Sequence, residues 1–503
     1  MMSDQLQELK TRLAEISDLS KAAALLSWDQ ETYMPPGGAK ARSEQLATLS
    51  KLAHELFVSD EIGRLLEDLS GPAVNLDPDS DDACLIRVTA RDYAKARKLP
   101  PELVADLART TSAAIPVWAK ARQESDFALF APHLEKIVGL LIQKAEALGY
   151  KDRLYDALLD EYEPDMTAAQ VEAIFAELKT EIVPLLRAIT ANLDAVDDAV
   201  LHRDFDEGKQ WDLGIEVLKL IGFDFERGRQ DKSTHPFTTA FSPTDVRLTT
   251  RIDRTFLSQS LFGTLHEGGH ALYDQGISLA LDRTPLGTGA SLGIHESQSR
   301  TWENLIGRSR AFWRFFFPRV QAAFPDQLAD ADAETLYRAV NKVRLSLIRV
   351  EADEVTYNLH IMLRFELEND ILEGRVGIAE IPAAWNAKME SYLGLVPPDD
   401  AQGALQDIHW AWGSMGYFPT YSLGNLISVQ FFDQARTDLP DLEAQIEAGE
   451  FAPLLSWLRE HIHRHGRKFT PVELVERVTG RPLDAAPFVR YIKDKYGELY
   501  GLA

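Results

Sequence analysis

Apolar residues recur at three- and four-residue spacing along most of this chain. Residues 6–26, 39–69, 82–97, 101–125, 130–148, 168–193, 334–372 and 471–478 all carry that period, which predicts a mostly helical protein. Thr167-Ala168-Ala169-Gln170 predicts a capping box at the start of one of these helices. Strict alternation is rare. Its clearest instance is 245–252, where Val246, Leu248, Thr250 and Ile252 alternate with Arg247, Thr249 and Arg251. A lone strand there would suit an edge to which an extended peptide adds through main-chain hydrogen bonds; a hairpin in a small sheet is the structural alternative.

Just downstream, Leu257, Leu261, Phe262, Leu265, Leu272 and Ile277 predict a helix over about 256–276. Inside it stands His266-Glu267-Gly268-Gly269-His270. One turn apart on one helix face, His266 and His270 can grip a single Zn²⁺ while Glu267 points at the water-bearing position. Two glycines in mid-helix cost about 1 kcal/mol each relative to Ala. Side chains at those two positions would therefore block a close approach, by a strand or a substrate backbone; a loosely packed helix is the other reading.

A catalytic zinc of this kind needs a third protein ligand. The metzincin pattern would place Gly at 273 and His at 276, where this chain has Tyr273 and Gly276, so that class is excluded. After a Gly-rich loop at 285–293 comes His295-Glu296-Ser297-Gln298-Ser299-Arg300, opening another expected helix. Glu296 is the best third ligand, since a His₂Glu set leaves one position open for water. A thermolysin-like arrangement would put Asp four residues after that Glu. Arg300 stands there, so an outer carboxylate must come from elsewhere. Asp274, one turn beyond His270, is a candidate to orient an imidazole, and an ordinary exposed helix Asp is the alternative.

With His-Glu-Gly-Gly-His and His-Glu-Ser-Gln-Ser-Arg at this separation, the chain resembles the carboxypeptidase Taq family of zinc metallocarboxypeptidases. Further similar blocks follow in order: Trp28-Asp29-Gln30-Glu31-Thr32 with Met34-Pro35, His235-Pro236-Phe237, Asp245-Val246-Arg247-Leu248-Thr249, Ile348-Arg349-Val350-Glu351-Ala352-Asp353, Gly403-Ala404-Leu405-Gln406-Asp407-Ile408-His409-Trp410, and Lys495-Tyr496-Gly497-Glu498-Leu499-Tyr500. The resemblance spans essentially the whole chain. It implies a mostly α fold, a large helical metallopeptidase body over residues 1–503 with a deep substrate groove and a small β-sheet beside the zinc helix. It also implies a homodimer, one Zn²⁺ per chain with Co²⁺ as a possible substitute, and broad removal of C-terminal residues from peptides.

Roles follow from this resemblance and from side-chain chemistry. Glu267 is the expected general base and acid, His266, His270 and Glu296 the metal ligands. His409 and Tyr417 are candidates to stabilise the oxyanion, because Gly416-Tyr417-Phe418 after His409-Trp410 resembles the His and Tyr donors of related helical zinc peptidases; Tyr421 competes for that role. An exopeptidase needs a cation for the terminal carboxylate, and the planar fork of Arg suits it. Arg349 is the first choice, with a helix salt bridge to Asp353 as its alternative, and Arg247 the second. His235 is expected to shape the same cleft, a structural His before Pro being the alternative. A zinc endo-oligopeptidase and a non-catalytic peptide-binding protein on the same fold remain as rival readings.

Composition narrows the class without identifying it. The 503 residues are 45% hydrophobic and 26% charged, enough for a sizeable core, and no linker or repeat divides them. A net charge of -25 argues against a general affinity for nucleic acid. The N-terminus moves directly into an amphipathic helix marked by Leu6, Leu9, Leu13 and Ile16, and no run approaches the roughly 20 apolar residues of a membrane span. Cys84 is the single cysteine, so no internal disulfide forms; a cytoplasmic location is expected, with Cys84 a buried apolar filler. Asp77-Pro78-Asp79-Ser80-Asp81 fails as a calcium loop because Asp82 and Val88 stand where Gly and Glu are needed, and reads as a solvated acidic loop. The glycines at 287, 289 and 293 miss the dinucleotide spacing and read as a mobile connection near the metal site.

Overall fold

Helix ends in this protein are set by side chains that satisfy backbone N–H groups the helix itself leaves open. At the expected capping box, Thr167 Oγ1 accepts from the Gln170 N–H and Gln170 Oε1 from the Thr167 N–H, opening Ala168–Thr190. The 39–69 stretch divides into Ala39–Phe57 and Asp60–Ala73, because Ser59 caps the second helix and Asp60 and Glu61 favour its positive end. Pro101–Glu124 ends on Ser125 in the left-handed region, and Asp126 caps Phe127–Leu148, three residues earlier than its apolar spacing starts. The computed structural model describes residues 2–502; Met1 and Ala503, the outermost residues of the expected single domain, lie outside them.

The largest departure from the sequence pattern lies in 334–372. Helix stops at Val340 and resumes at Tyr357, with only a short 3₁₀ turn at Arg349–Glu351 between. Half-buried Asp353 accounts for the interruption: its carboxylate accepts from the N–H groups of Arg344, Val355 and Thr356 and from Thr356 Oγ1, at 2.9 to 3.1 Å. One side chain thus satisfies backbone donors that a continuous helix would have used.

The chain forms two compact units, each assembled from separated stretches. The first comprises Met1–Arg97, Asp198–Val340 and Phe431–Pro482. It holds a three-stranded sheet of β1 (Gly228–Lys232), β2 (Thr238–Ser242) and β3 (Asp245–Thr250), ordered β1-β3-β2. β3 runs parallel to β1 and antiparallel to β2, with a bulge between Ala240 and Ser242. The strand read from the sequence is therefore the central one, and a peptide can add only at β1 or β2. β2 and β3 lie against the helix Leu257–Gly276, where Thr250 and Thr264 hydroxyls meet at 3.1 Å. A neighbouring apolar cluster joins Leu6, Leu9 and Leu13 to Leu66, Leu69 and Cys84; as expected, Cys84 is fully buried, and burial pushes its thiol pKa up. The acidic loop is ion-paired, not merely solvated: Asp79 meets Arg477, Asp81 meets Lys468 and Asp82 meets Lys10.

The second unit comprises Lys98–Asp197, Asn341–Gln430 and Leu483–Ala503. Its core centres on Phe365, whose ring meets those of Tyr155 and Phe175 edge-on at 5.3 Å. Arg364 is also fully buried there, stacked 4.5 Å over Trp385.

Candidate active site

The motif helix, Leu257–Gly276, carries His266 and His270 on one face, with their rings edge to face at 4.9 Å. Glu296 reaches them from the helix Leu292–Arg300. Its Oε2 lies 3.7 Å from His266 Nε2 and 3.6 Å from His270 Nε2. Two ligands of a tetrahedral Zn²⁺ stand about 3.4 Å apart when metal bonds are 2.0–2.2 Å, so both carboxylate–imidazole separations fit such an ion with shifts of a few tenths of an ångström, and all three donor atoms lie within 4.8 Å of one another. They are the one cluster of this kind among the described residues.

The far side of each ring is tied down so that Nε2 faces inward. His266 Nδ1 lies 2.9 Å from Glu303 Oε2, so its N–H donates there. His270 Nδ1 lies 2.6 Å from His295 Nδ1, and His295 Nε2 lies 3.2 Å from Asp274 Oδ1. If the His295 Nε2–H donates to Asp274, its Nδ1 accepts from His270, and both motif histidines present a bare Nε2. Asp274 therefore orients His270 through an intervening imidazole. Arg300 holds both glutamates, with Nε 2.6 Å from Glu296 Oε1 and Nη1 3.1 Å from Glu303 Oε2. Burial would raise the Glu303 pKa, but Arg300 and His266 hold it down at about 2. Glu296 is likewise ionised, well below its usual range against its burial, through Arg300 and the histidines.

The two glycines of the motif have different tasks. A Cβ on Gly269 would sit 2.5 Å from the Gln298 carbonyl oxygen and 2.6 Å from Ser299 Cα, so only glycine lets the Glu296 helix backbone lie against the motif helix. A Cβ on Gly268 would meet the Leu218 methyl at 2.8 Å. The close approach is thus made by helices, not by a strand or a substrate. The loop 285–293 is packed rather than a slack connection: a Cβ on Gly289 would lie 2.9 Å from both the His295 and Tyr273 rings, and the Ala290 N–H donates to Tyr273 Oη at 3.0 Å. Glu267 is buried, its Oε2 accepting from Thr238 Oγ1 of β2 at 2.8 Å.

Two other candidates lie on the same unit. Arg247 already spends its Nε and Nη2 on Asp245 at 3.0 Å each, and its guanidinium sits between Trp28 and Phe241. His235 is exposed in the link between β1 and β2.

The second unit gathers the rest. Arg349, almost buried, donates through Nε and Nη2 to Asp407 and through Nη1 to Tyr357 Oη. Its partner is therefore Asp407 and not Asp353, because the segment is not helical. Arg364 reaches the other Asp407 oxygen at 2.7 Å, leaving two guanidinium charges around one carboxylate. Burial would raise the Asp407 pKa, yet the two arginines hold it far below the usual range. Tyr421 faces the Arg349 guanidinium at 4.9 Å, and its Oη lies 3.3 Å from His409 Nε2. The Tyr417 ring is 5.2 Å from that of His409 and 5.3 Å from that of Tyr421. Burial pushes His409 down to about 4, Arg349 and Arg364 acting the same way against Asp407, so the ring is neutral near pH 7.

Glu303, His295 and Arg300 are the neighbours that sequence reasoning left without a role. Glu303 follows Glu296 by seven residues, two helical turns, which is a readable signal. What hides it is a π-helical turn at Thr301–Ile306, which changes the register after Arg300.

A His-Glu-x-x-His helix braced by outer carboxylates, with a glutamate from the next helix converging on the two histidines, defines a metallopeptidase of the His-Glu-x-x-His type. The sequence profile of the carboxypeptidase Taq (M32) metallopeptidases matches residues 8–496, and the chain belongs to that family. It is 45% identical to thermostable carboxypeptidase 1 of Thermus thermophilus over 497 residues, 97% of either chain. With carboxypeptidase 1 of Bacillus subtilis the identity is 39% over 488 residues, again 97% of either. The crystal structure of the M32 carboxypeptidase from Deinococcus radiodurans matches with a TM-score of 0.96 and 43% identity, covering 99% of this chain and 100% of that one. The chain is accordingly a peptide hydrolase of the metallocarboxypeptidase class, which requires a metal ion.

Proposed function

We propose that this metallocarboxypeptidase works with Zn²⁺ held by His266, His270 and Glu296, and removes C-terminal residues of many kinds from peptides. The observation that carries the reading is the convergence of two imidazole Nε2 atoms on one ionised carboxylate oxygen, a nitrogen and oxygen set that suits zinc and tolerates cobalt. Bound there, the metal supplies Lewis acidity toward water and the peptide carbonyl. Glu267 takes the proton of the attacking water and returns it to the departing amine, Thr238 holding its carboxylate in place. His409, neutral and able to donate, and Tyr417 are assigned to the oxyanion.

For the substrate's free carboxylate the reading assigns Arg349. In its favour, Arg349, Arg364 and Asp407 carry one net positive charge, and an Nη1 and an Nη2 proton of Arg349 are left over from Asp407 and Tyr357. Tyr421, His235 and Arg247 are assigned to further substrate contacts, Arg247 through the Nη1 not engaged by Asp245. The chain is taken as a single peptidase domain, since the family match runs through every stretch of both units. A homodimer is part of the proposal on family resemblance, and a cytoplasmic location on the single cysteine, which suits a reducing compartment. The net charge of -25 disfavours nucleic acid as a partner, and among the described residues no helix is long and apolar enough to cross a membrane.

Mass spectrometry of the zinc-loaded protein with an N-blocked peptide, as free acid and as C-terminal amide, tests this reading. Single-residue losses are expected from the free acid alone. Internal cuts in both forms would instead make the protein an endo-oligopeptidase, and no cleavage of either would favour peptide binding without catalysis. Separately, Glu303→Gln is expected to lower zinc affinity about 10- to 100-fold, because a neutral amide braces His266 more weakly than an ionised carboxylate. Competition with a chromophoric chelator measures it, and an affinity within twofold of the parent would remove Glu303 from the site.

A further inference from the structure

The helix Tyr357–Leu372 carries three fully buried polar side chains at four-residue spacing, His360, Arg364 and Glu368. Arg364 reaches Asp407 and the Gln406 side chain, both at 2.7 Å. One turn further on, Glu368 accepts three hydrogen bonds: Trp410 Nε1 to Oε1 at 2.9 Å, and the Gly416 N–H at 3.1 Å and Tyr155 Oη at 2.8 Å to Oε2. Trp410 directly follows His409, and Gly416 directly precedes Tyr417. Gly416 has φ +94°, and a Cβ there would lie 2.7–2.9 Å from the backbone of Leu158 and Leu159. The segment is therefore pressed against the turn after Tyr155 on one side and pinned by Glu368 on the other.

A buried carboxylate with only neutral donors is a costly way to fill space that an apolar side chain could occupy. What Glu368 adds is directed acceptance at both ends of 410–416. We infer that Glu368 is a positioning residue that holds His409 and Tyr417 in register with each other, an inference resting on the roles proposed above for those two side chains. Burial raises Glu368 to about 7, against its three donors and Arg364. The titratable or charged groups around it are Tyr155 and Tyr162, together with Arg364 on its own helix. Of its three partners only the Tyr155 hydroxyl can accept as well as donate, so protonation of Glu368 forces that hydrogen bond to reverse. The clamp is then complete above neutral pH and loosened below it.

Steady-state kinetics of zinc-loaded Glu368→Gln across pH 5.5–9, with zinc content and circular dichroism as controls, test the inference. The variant is expected to lose about tenfold in kcat with KM within about twofold, because misplacement affects the reacting geometry more than binding. The fall in kcat on the acid side of about pH 7 should also flatten, since the amide does not titrate. A folded, zinc-loaded variant with parental kcat and parental pH profile would overturn it. Tyr155→Phe gives a second route: removing one donor should cost about threefold in kcat and move the acid limb to higher pH, and no change in either would overturn the inference even if the Gln variant fails to fold. His409→Ala and Tyr417→Phe, measured alongside, separate the two levels. If both stay active, the proposed donor roles fall and the clamp with them; if they lose kcat while Glu368→Gln does not, only the clamp falls.

Discussion

Glu267→Gln is expected to leave zinc binding intact and to lower kcat about 10²–10⁴-fold, the contribution general acid–base transfer typically makes. The substitution preserves shape: the amide oxygen can still accept from Thr238, which now anchors the carboxylate at 2.8 Å. None of the three converging donor atoms belongs to Glu267, so the His266, His270 and Glu296 set is untouched. What is lost is a group that can take a proton from water and release it to the amine. KM for a free-acid peptide should change little, because the carboxylate is assigned to chemistry and not to binding. Metal analysis together with kcat for an N-blocked peptide is the measurement. A kcat within tenfold of the parent, at full zinc content, would move the general base elsewhere.

The cluster of His266, His270 and Glu296 was legible because ligand chemistry and helical period coincide within five residues, and a His₂Glu set called for an acid on a nearby helix. The helical class was legible from spacing alone. The errors have particular causes. Residues 334–372 read as one helix because apolar spacing continues through them, whereas a local side-chain choice, Asp353 gathering three nearby backbone N–H groups, overrides the period. With the helix broken, Arg349 turns to Asp407, 58 residues away, which no local pattern announces. β3 looked solitary because its partners are short and poorly alternating: β1 reads Gly-Arg-Gln-Asp-Lys and β2 is only half-buried throughout. The Asp245 partner of Arg247 was visible in the sequence, since residues i and i+2 share a strand face. The glycine pair was informative in the right way, although the element it admits proved to be a helix.

That glycine pair supports the second large effect. On propensity alone, Gly→Ala inside a helix should stabilise by about 1 kcal/mol. Gly263, on the same helix, offers the pure case: nothing lies within 4 Å of its Cβ position, so Gly263→Ala should raise stability by up to that amount. Gly269→Ala meets backbone at 2.5 and 2.6 Å, and neither atom is the flexible end of a side chain. The helix Leu292–Arg300 must move or tilt, so overpacking costs about 1–3 kcal/mol and reverses the sign. The same displacement carries Glu296 away from His266 and His270, and a shift of about 1 Å at a reacting centre can cost roughly 10²-fold in kcat/KM. Gly268→Ala should fall between the two, since its obstacle is a Leu218 methyl that can rotate aside. Thermal unfolding of the three variants with and without zinc, combined with zinc affinity and kcat/KM, reads the series. The metal-loaded form of Gly269→Ala should lose most, because the distortion weakens the bound state specifically. If Gly269→Ala proved as stable and active as Gly263→Ala, the contact of the two helix backbones would not be what places Glu296.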